Sequence, residues 1–234
     1  TARSAAEKSG KSVVLLEALE EQYYTIIGND IGHLNSQYLK DHGVPEVDPV
    51  EFFNDWMMRS QNAANPSLIM QYATRSGEAV DWFLEKEPAE LLETMTISYW
   101  PRHENMLDEI AGQKFWTGTV QWGMGNEHNM TEVYQAIFAS LAELPNLQLI
   151  FDRKGVYLEK DGDAVTGVVC VDAAGTYHRY RANEAVVLAA GDFSADKEMM
   201  TDLCVTANDC LQEGITEWHD AMGGKEGSGI KMGV

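Results

Sequence analysis

Two short apolar runs organise the hydrophobic pattern. Lys11-Ser12 leads into Val13-Val14-Leu15-Leu16, which stops on Glu17, and Val186-Val187-Leu188-Ala189-Ala190 stops on Gly191-Asp192-Phe193. Uninterrupted apolar runs closed by turn residues are the signature of strands covered on both faces of a parallel sheet. One run ends in an acid and the other in a glycine turn, the combination found at the carboxyl rim of a dinucleotide-binding sheet. Residues 1–9 predict a helix whose Ala2, Ala5 and Ala6 offer a small face for close packing on a strand. In such a unit a glycine-rich turn precedes the helix, and an acid about 20 residues further on receives ribose hydroxyls. With Glu17 as that acid, the glycines fall around or before Thr1. The expectation is therefore a chain that begins inside its first helix, without the first strand and its phosphate-binding turn.

Helical periodicity follows. Phe52, Phe53, Trp56 and Met57 recur at helical spacing in residues 48–59, as do Ile69, Tyr72, Ala73, Val80 and Phe83 in residues 66–83. A third helix is predicted over residues 131–144, with Val133, Ile137, Phe138 and Leu141 on one stripe and Pro145-Asn146 ending it. Residues 25–32, with Gly28 and Gly32, read as a loop that lets backbone approach a ligand. Residues 100–130, which hold Arg102, His103, His128 and three tryptophans without periodicity, read as a long loop serving a site or another domain. Strands are predicted at 147–151, 155–159, 164–172 and 176–181. Asp161-Gly162 and Ala174-Gly175 turn the last three into an antiparallel meander that leads into the run at 185–190.

Composition narrows the function. The 234 residues are 44% hydrophobic, enough to bury a substantial core, and no apolar stretch is long enough to span a membrane. Against 17 Lys and Arg stand 37 Asp and Glu, a net charge of −20 with no basic patch, which argues against a nucleic-acid partner. Cys170, Cys204 and Cys210 form neither a C-x-x-C pair nor an even framework, so a reducing compartment is the default. His33, His42, His128, His178 and His219 show no metal spacing, and no metal site is expected.

The ordered set VVLLE at 13–17, GNDIGHLNS at 28–36, VYLEKDGDAVTGVV at 156–169, AVVLAAGDFSADKEMM at 185–200 and GSGIKMG at 227–233 resembles the flavoprotein subunits of fumarate reductase-like enzymes. It is most similar to the bacterial branch of FAD-dependent reductases acting on activated alkenes. The resemblance implies an α/β chain, an FAD/NAD(P)-binding Rossmann-like three-layer fold with a small antiparallel meander, lacking its first strand and the capping domain. Residues 1–234 are then a partial FAD-binding domain. Residues 1–47 form its cofactor segment, 48–146 a helical and loop excursion, 147–184 the meander, and 185–234 the return to the core sheet.

FAD is the implied cofactor. By the resemblance, Glu17 and Ala18 meet the adenosine ribose, while Ile27, Gly28, Asn29, Asp30 and Gly32 run beside the pyrophosphate and flavin. Val156 holds the adenine edge by its backbone, Ala190, Gly191 and Asp192 flank the adenosine half, and Gly229 approaches the cofactor. Ser228 stands where relatives carry an acid. The segments in which relatives keep their substrate clamp and proton-donating arginine lie beyond Val234, so no catalytic residue carries over. Arg102 with His103 is the candidate substrate pair, and His33 a candidate cofactor neighbour.

The implied reaction is reduction of a conjugated, fumarate-like double bond by hydride from reduced flavin, on a small-molecule substrate, with an electron-donor protein or domain as partner. The alternatives are a dehydrogenase or oxidase resembling ketosteroid dehydrogenase or aspartate oxidase, and a catalytically silent scaffold that self-associates. Localisation stays open between the cytoplasm and the bacterial envelope.

Overall fold

The computed structural model describes residues 1–25, 28–98, 109–110, 113–114, 116, 118–123, 125–214 and 226–233. In chain order the elements are α1 (Ala2–Ser9), β1 (Val13–Leu16), β2 (Asp30–Gly32), α2 (Gln37–Asp41), α3 (Pro49–Arg59), α4 (Pro66–Leu84), α5 (Ala89–Thr94), β3 (Thr96–Ile97), β4 (Glu109–Ile110), β5 (Gln113–Lys114) and β6 (Thr119–Gln121). There follow α6 (Met130–Ala142), β7 (Leu147–Ile150), β8 (Lys154–Asp161), β9 (Ala164–Val171), β10 (Tyr177–Arg181), α7 (Lys197–Leu203), α8 (Val205–Gln212) and α9 (Ser228–Gly233). The result is a mixed α/β chain with small antiparallel sheets. It divides into one unit of Thr1–Tyr24 with Leu144–Val234 and another of Thr25–Glu143.

In the first unit β1 runs parallel to β7, in register from Val13 opposite Leu147 to Leu16 opposite Ile150. Asn146 fastens this pair to α1: its side-chain amide donates to the carbonyls of Ala6 and Lys11, each at 2.9 Å. Ala6 is buried at that contact, as the alanine-rich face of the helix predicts. Strands β8, β9 and β10 form the expected meander, with β9 central. Helix α9 lies on β8.

The run at 185–190 differs from its expectation, because it joins no sheet among the described residues, and Val187 is 65% exposed. A strand needs an edge whose amides and carbonyls it can pair. Among the described residues neither the β1-β7 pair nor the β10-β9-β8 sheet takes up this run. Apolar content alone therefore does not make a strand here.

The second unit is built on α4. Its N-terminus is set by Asn65, whose side chain accepts from the amides of Ser67 and Leu68 ahead of a proline in the first turn. Helix α3 starts the same way, with Asp48 as cap and Pro49 following. Gly77 lets α4 press on the chain at residues 34–36: a Cβ built there would stand 2.3 Å from the Leu34 carbonyl oxygen. Helix α6 opens with a reciprocal capping box between Asn129 and Glu132. Its buried Val133 joins Leu39, Val80, Leu84, Leu91, Val120 and Trp122 in the main core. Trp122 is wholly buried and donates its indole N–H to the Leu91 carbonyl at 2.7 Å.

Two loop expectations are corrected in this unit. Asp30–Gly32 is a strand, antiparallel to Thr119–Gln121, which also pairs with β3. Part of the long loop is thus ordered as the central strand of a three-stranded sheet. Its short length and mixed composition conceal that role, because pairing on both sides, not periodicity, makes it a strand.

Candidate functional site

Glu17 follows directly on β1 and stays in the ladder: its N–H donates to the Ile150 carbonyl at 2.9 Å, and its carbonyl accepts from the Arg153 N–H at 2.8 Å. Its side chain turns back so that Oε1 accepts from the Leu19 amide at 2.9 Å. Among the described residues Oε2 has no partner and remains able to accept. Ala18, next to it, is exposed and small.

Val156 lies on β8, 40% exposed, two residues past Lys154. Lys154 pairs with Glu226 at 2.7 Å. One residue further along, the Gly227 amide donates to the Asp192 carbonyl at 3.1 Å. Gly229, buried in α9, sits so close to Ala190 that a built Cβ would lie 3.0 Å from the alanine methyl. Lys231 holds the Asp196 carboxylate, which caps α7, and this pairing keeps that acid below the usual carboxylate range. Ala190, Gly191, Asp192 and Gly229 are thus brought together, and α9 carries them to the β8 end beside Val156.

The link from Glu17 to Gly191 therefore runs through backbone and ion-pair contacts at residues 153–154 and 226–227. It does not run along a shared sheet, because Gly191 follows a run that is not a strand. Gly191 has φ 77°, a left-handed backbone that favours glycine on its own account. The clasp was invisible in the sequence, because Lys154–Glu226 and Lys231–Asp196 join residues far apart in the chain.

The remaining candidates fall in the second unit. Gly28 is exposed, has φ 135°, and a built Cβ would meet nothing within 4 Å, so its backbone faces open space. The Asn29 carbonyl accepts from the Trp122 amide at 2.8 Å. Asp30 and Gly32 are exposed at the two ends of β2. Ile27, Arg102, His103 and His219 lie outside the described residues.

His33 takes a structural role. It is 1% exposed, with Nδ1 against the Ile31 carbonyl at 3.0 Å and Nε2 against the Ser36 hydroxyl at 2.8 Å. Burial lowers its pKa, outweighing the raising influence of the Ile31 carbonyl and the Asp81 charge. Both ring nitrogens are engaged, so the imidazole is turned inward. Among the described residues no His, Cys, Asp and Glu group could hold a metal ion, and no helix is long and apolar enough to cross a membrane.

Within the first unit, an open carboxylate oxygen beside a small exposed residue is able to accept from hydroxyls such as those of a ribose. The chain belongs to the family of FAD binding domains, whose model matches residues 1–234. FAD is accordingly its cofactor. Among solved structures it is similar to the 3-ketosteroid-delta4-(5alpha)-dehydrogenase of Rhodococcus jostii RHA1, at 17% identity and TM-score 0.70, covering 99% of this chain and 50% of that one. It is similar to a flavocytochrome c3 fumarate reductase at 18% identity and TM-score 0.68, covering 99% and 37%. The quinol fumarate reductase FrdA of E. coli follows at 16% identity and TM-score 0.56, covering 82% and 30%. The chain thus spans half or less of the length of these structures. No curated protein matches it.

Proposed function

We propose that this protein is the FAD-binding part of an oxidoreductase that reduces the activated carbon–carbon double bond of a fumarate-like or other conjugated small molecule. The family match over residues 1–234 carries the reading. In it, the Glu17 carboxylate accepts the adenosine ribose hydroxyls through the oxygen that Leu19 leaves open, and Ala18 keeps the approach clear. The Val156 backbone holds the adenine edge, and Ala190, Gly191, Asp192 and Gly229 border the adenosine half. Ile27, Gly28, Asn29, Asp30 and Gly32 line the pyrophosphate and flavin, where amides substitute for water around charge. When bound, FAD supplies the two-electron hydride chemistry, while the protein positions the reacting partners. An electron-donor protein or domain replenishes the reducing equivalents.

The same fold serves a dehydrogenase, and the likeness to a ketosteroid dehydrogenase gives that second reading its observation. Anaerobic assay of the protein with a low-potential dye donor and fumarate-like alkenes, then with saturated substrates and an electron acceptor, separates them. Donor oxidation that depends on the alkene is expected. Turnover only in the second assay overturns the reductase reading, and turnover in neither, on a protein that retains no flavin, favours a silent scaffold.

A further inference from the structure

Within the second unit the N-terminal half of α4 and the side of α3 line a half-open cavity of about 180 Å³. Its walls are aromatic. Phe52, only 2% exposed, stands at the centre, with ring centroids of Trp56, Tyr72 and Trp116 at 5.4, 5.7 and 5.6 Å from its own. Trp56 is 44% exposed and forms the rim. Trp116 is held in orientation because its indole N–H donates to Asp55 Oδ2, an oxygen shared with the Arg59 guanidinium at 2.8 Å.

Tyr72, Thr119, Asp55 and Arg59 bring polar groups to the lining of this cavity. The Tyr72 and Thr119 hydroxyl oxygens lie 3.4 and 3.9 Å from where a Cβ on Gly32 would stand, and among the described residues neither hydroxyl has a partner. Asp55 Oδ1 is likewise unbonded, on a carboxylate only 15% exposed. Apolar walls with a few converging polar groups are what a small-molecule site consists of. The volume exceeds the roughly 150 Å³ that admits a benzene.

Charge selects among ligands. The Asp55 carboxylate and the Arg59 guanidinium both line the cavity and offset each other, so neither an organic cation nor an organic anion gains net attraction there. The π-faces favour a flat ring, and the hydroxyls favour a polar substituent on it.

We propose that this cavity binds a neutral, planar single-ring aromatic molecule carrying a hydroxyl or similar hydrogen-bonding group, which Tyr72 and Thr119 receive while Phe52, Trp56 and Trp116 contact its faces. The site lies wholly inside the second unit.

Ligand-observed saturation-transfer NMR on the whole chain, with phenol, toluene, cyclohexanol, benzylammonium and benzoate as probes, tests it. Phenol should bind saturably and ahead of the other four. Tyr72→Phe should weaken phenol about three- to ten-fold, the range of one neutral hydrogen bond, while leaving toluene unchanged. Trp56→Ala, at the half-exposed rim, should weaken both aromatic probes, with a thermal melt showing that the variant remains folded. The proposal fails if phenol gives no saturable response, if cyclohexanol matches it, if benzylammonium or benzoate outcompetes it, or if Tyr72→Phe leaves phenol affinity unchanged.

Discussion

Glu87, at the turn between α4 and α5, is 7% exposed and has both carboxylate oxygens buried without a hydrogen-bond partner among the described residues. Burial pushes its pKa from 4.5 up to about 7. The titratable group facing it is Tyr134 on α6, whose hydroxyl is raised by burial and further by the Glu87 charge. A carboxyl that holds its proton more tightly folded than unfolded costs stability as pH rises between those two values, because the unfolded chain ionises first. The loss should be complete above about 7 and of order 3 kcal/mol at most. Thermal melts should show Glu87→Gln gaining on the parent as pH rises through that window. Parallel profiles for the two proteins would refute the assignment. His33 acts in the opposite sense, since its lowered pKa removes stability as pH falls below 6.5, so the comparison between variants isolates Glu87.

At the scale of elements, packing outweighs propensity at Gly77. Alanine in a helix interior is worth about 1 kcal/mol over glycine. Here the added methyl would stand 2.3 Å from the Leu34 carbonyl oxygen and 2.6 Å from the Ser36 amide nitrogen, both main-chain atoms that cannot swing away. Gly77→Ala should therefore destabilise by about 1–3 kcal/mol, read from the urea midpoint; an unchanged or higher midpoint would contradict this packing.

The same contrast explains what could be read from the chain. Helices α3, α4 and α6 were legible because their caps Asp48, Asn65 and Asn129 and their apolar stripes agree. The meander was legible through Asp161-Gly162 and Ala174-Gly175, and β1 through its closing acid. Strand β2 was not, because three residues carry no periodicity and become a strand only when Thr119–Gln121 pairs with them. The run ending at Ala190 misled for the converse reason: its composition suits a buried strand, but among the described residues it pairs with no other strand. At the candidate site, Glu17 is a candidate by its position at the end of β1, whereas the pairs Lys154–Glu226 and Lys231–Asp196 depend on the finished fold. The inward turn of His33 was equally hidden, since only the fold supplies Ser36 and the Ile31 carbonyl on either side of its ring.

Across the whole molecule, the net charge of −20 outweighs any single ion pair. Self-repulsion of this size destabilises compact states at low ionic strength and is screened once the Debye length falls to about 10 Å, near 0.1 M salt. The melting temperature should rise on adding monovalent salt in that range; a fall would mean that the attractive pairs outweigh the excess of acid. In the function proposed above, the Glu17 carboxylate meets neutral hydroxyls in the adenosine half of the cofactor. The most direct measurement is thus equilibrium binding of FAD and of FMN, which lacks the adenosine, to the chain and to Glu17→Gln. The parent should prefer FAD, and the substitution should weaken FAD while leaving FMN unchanged. Equal affinity for the two flavins in the parent, or an FAD affinity indifferent to Glu17, would contradict a carboxylate seated on the adenosine ribose.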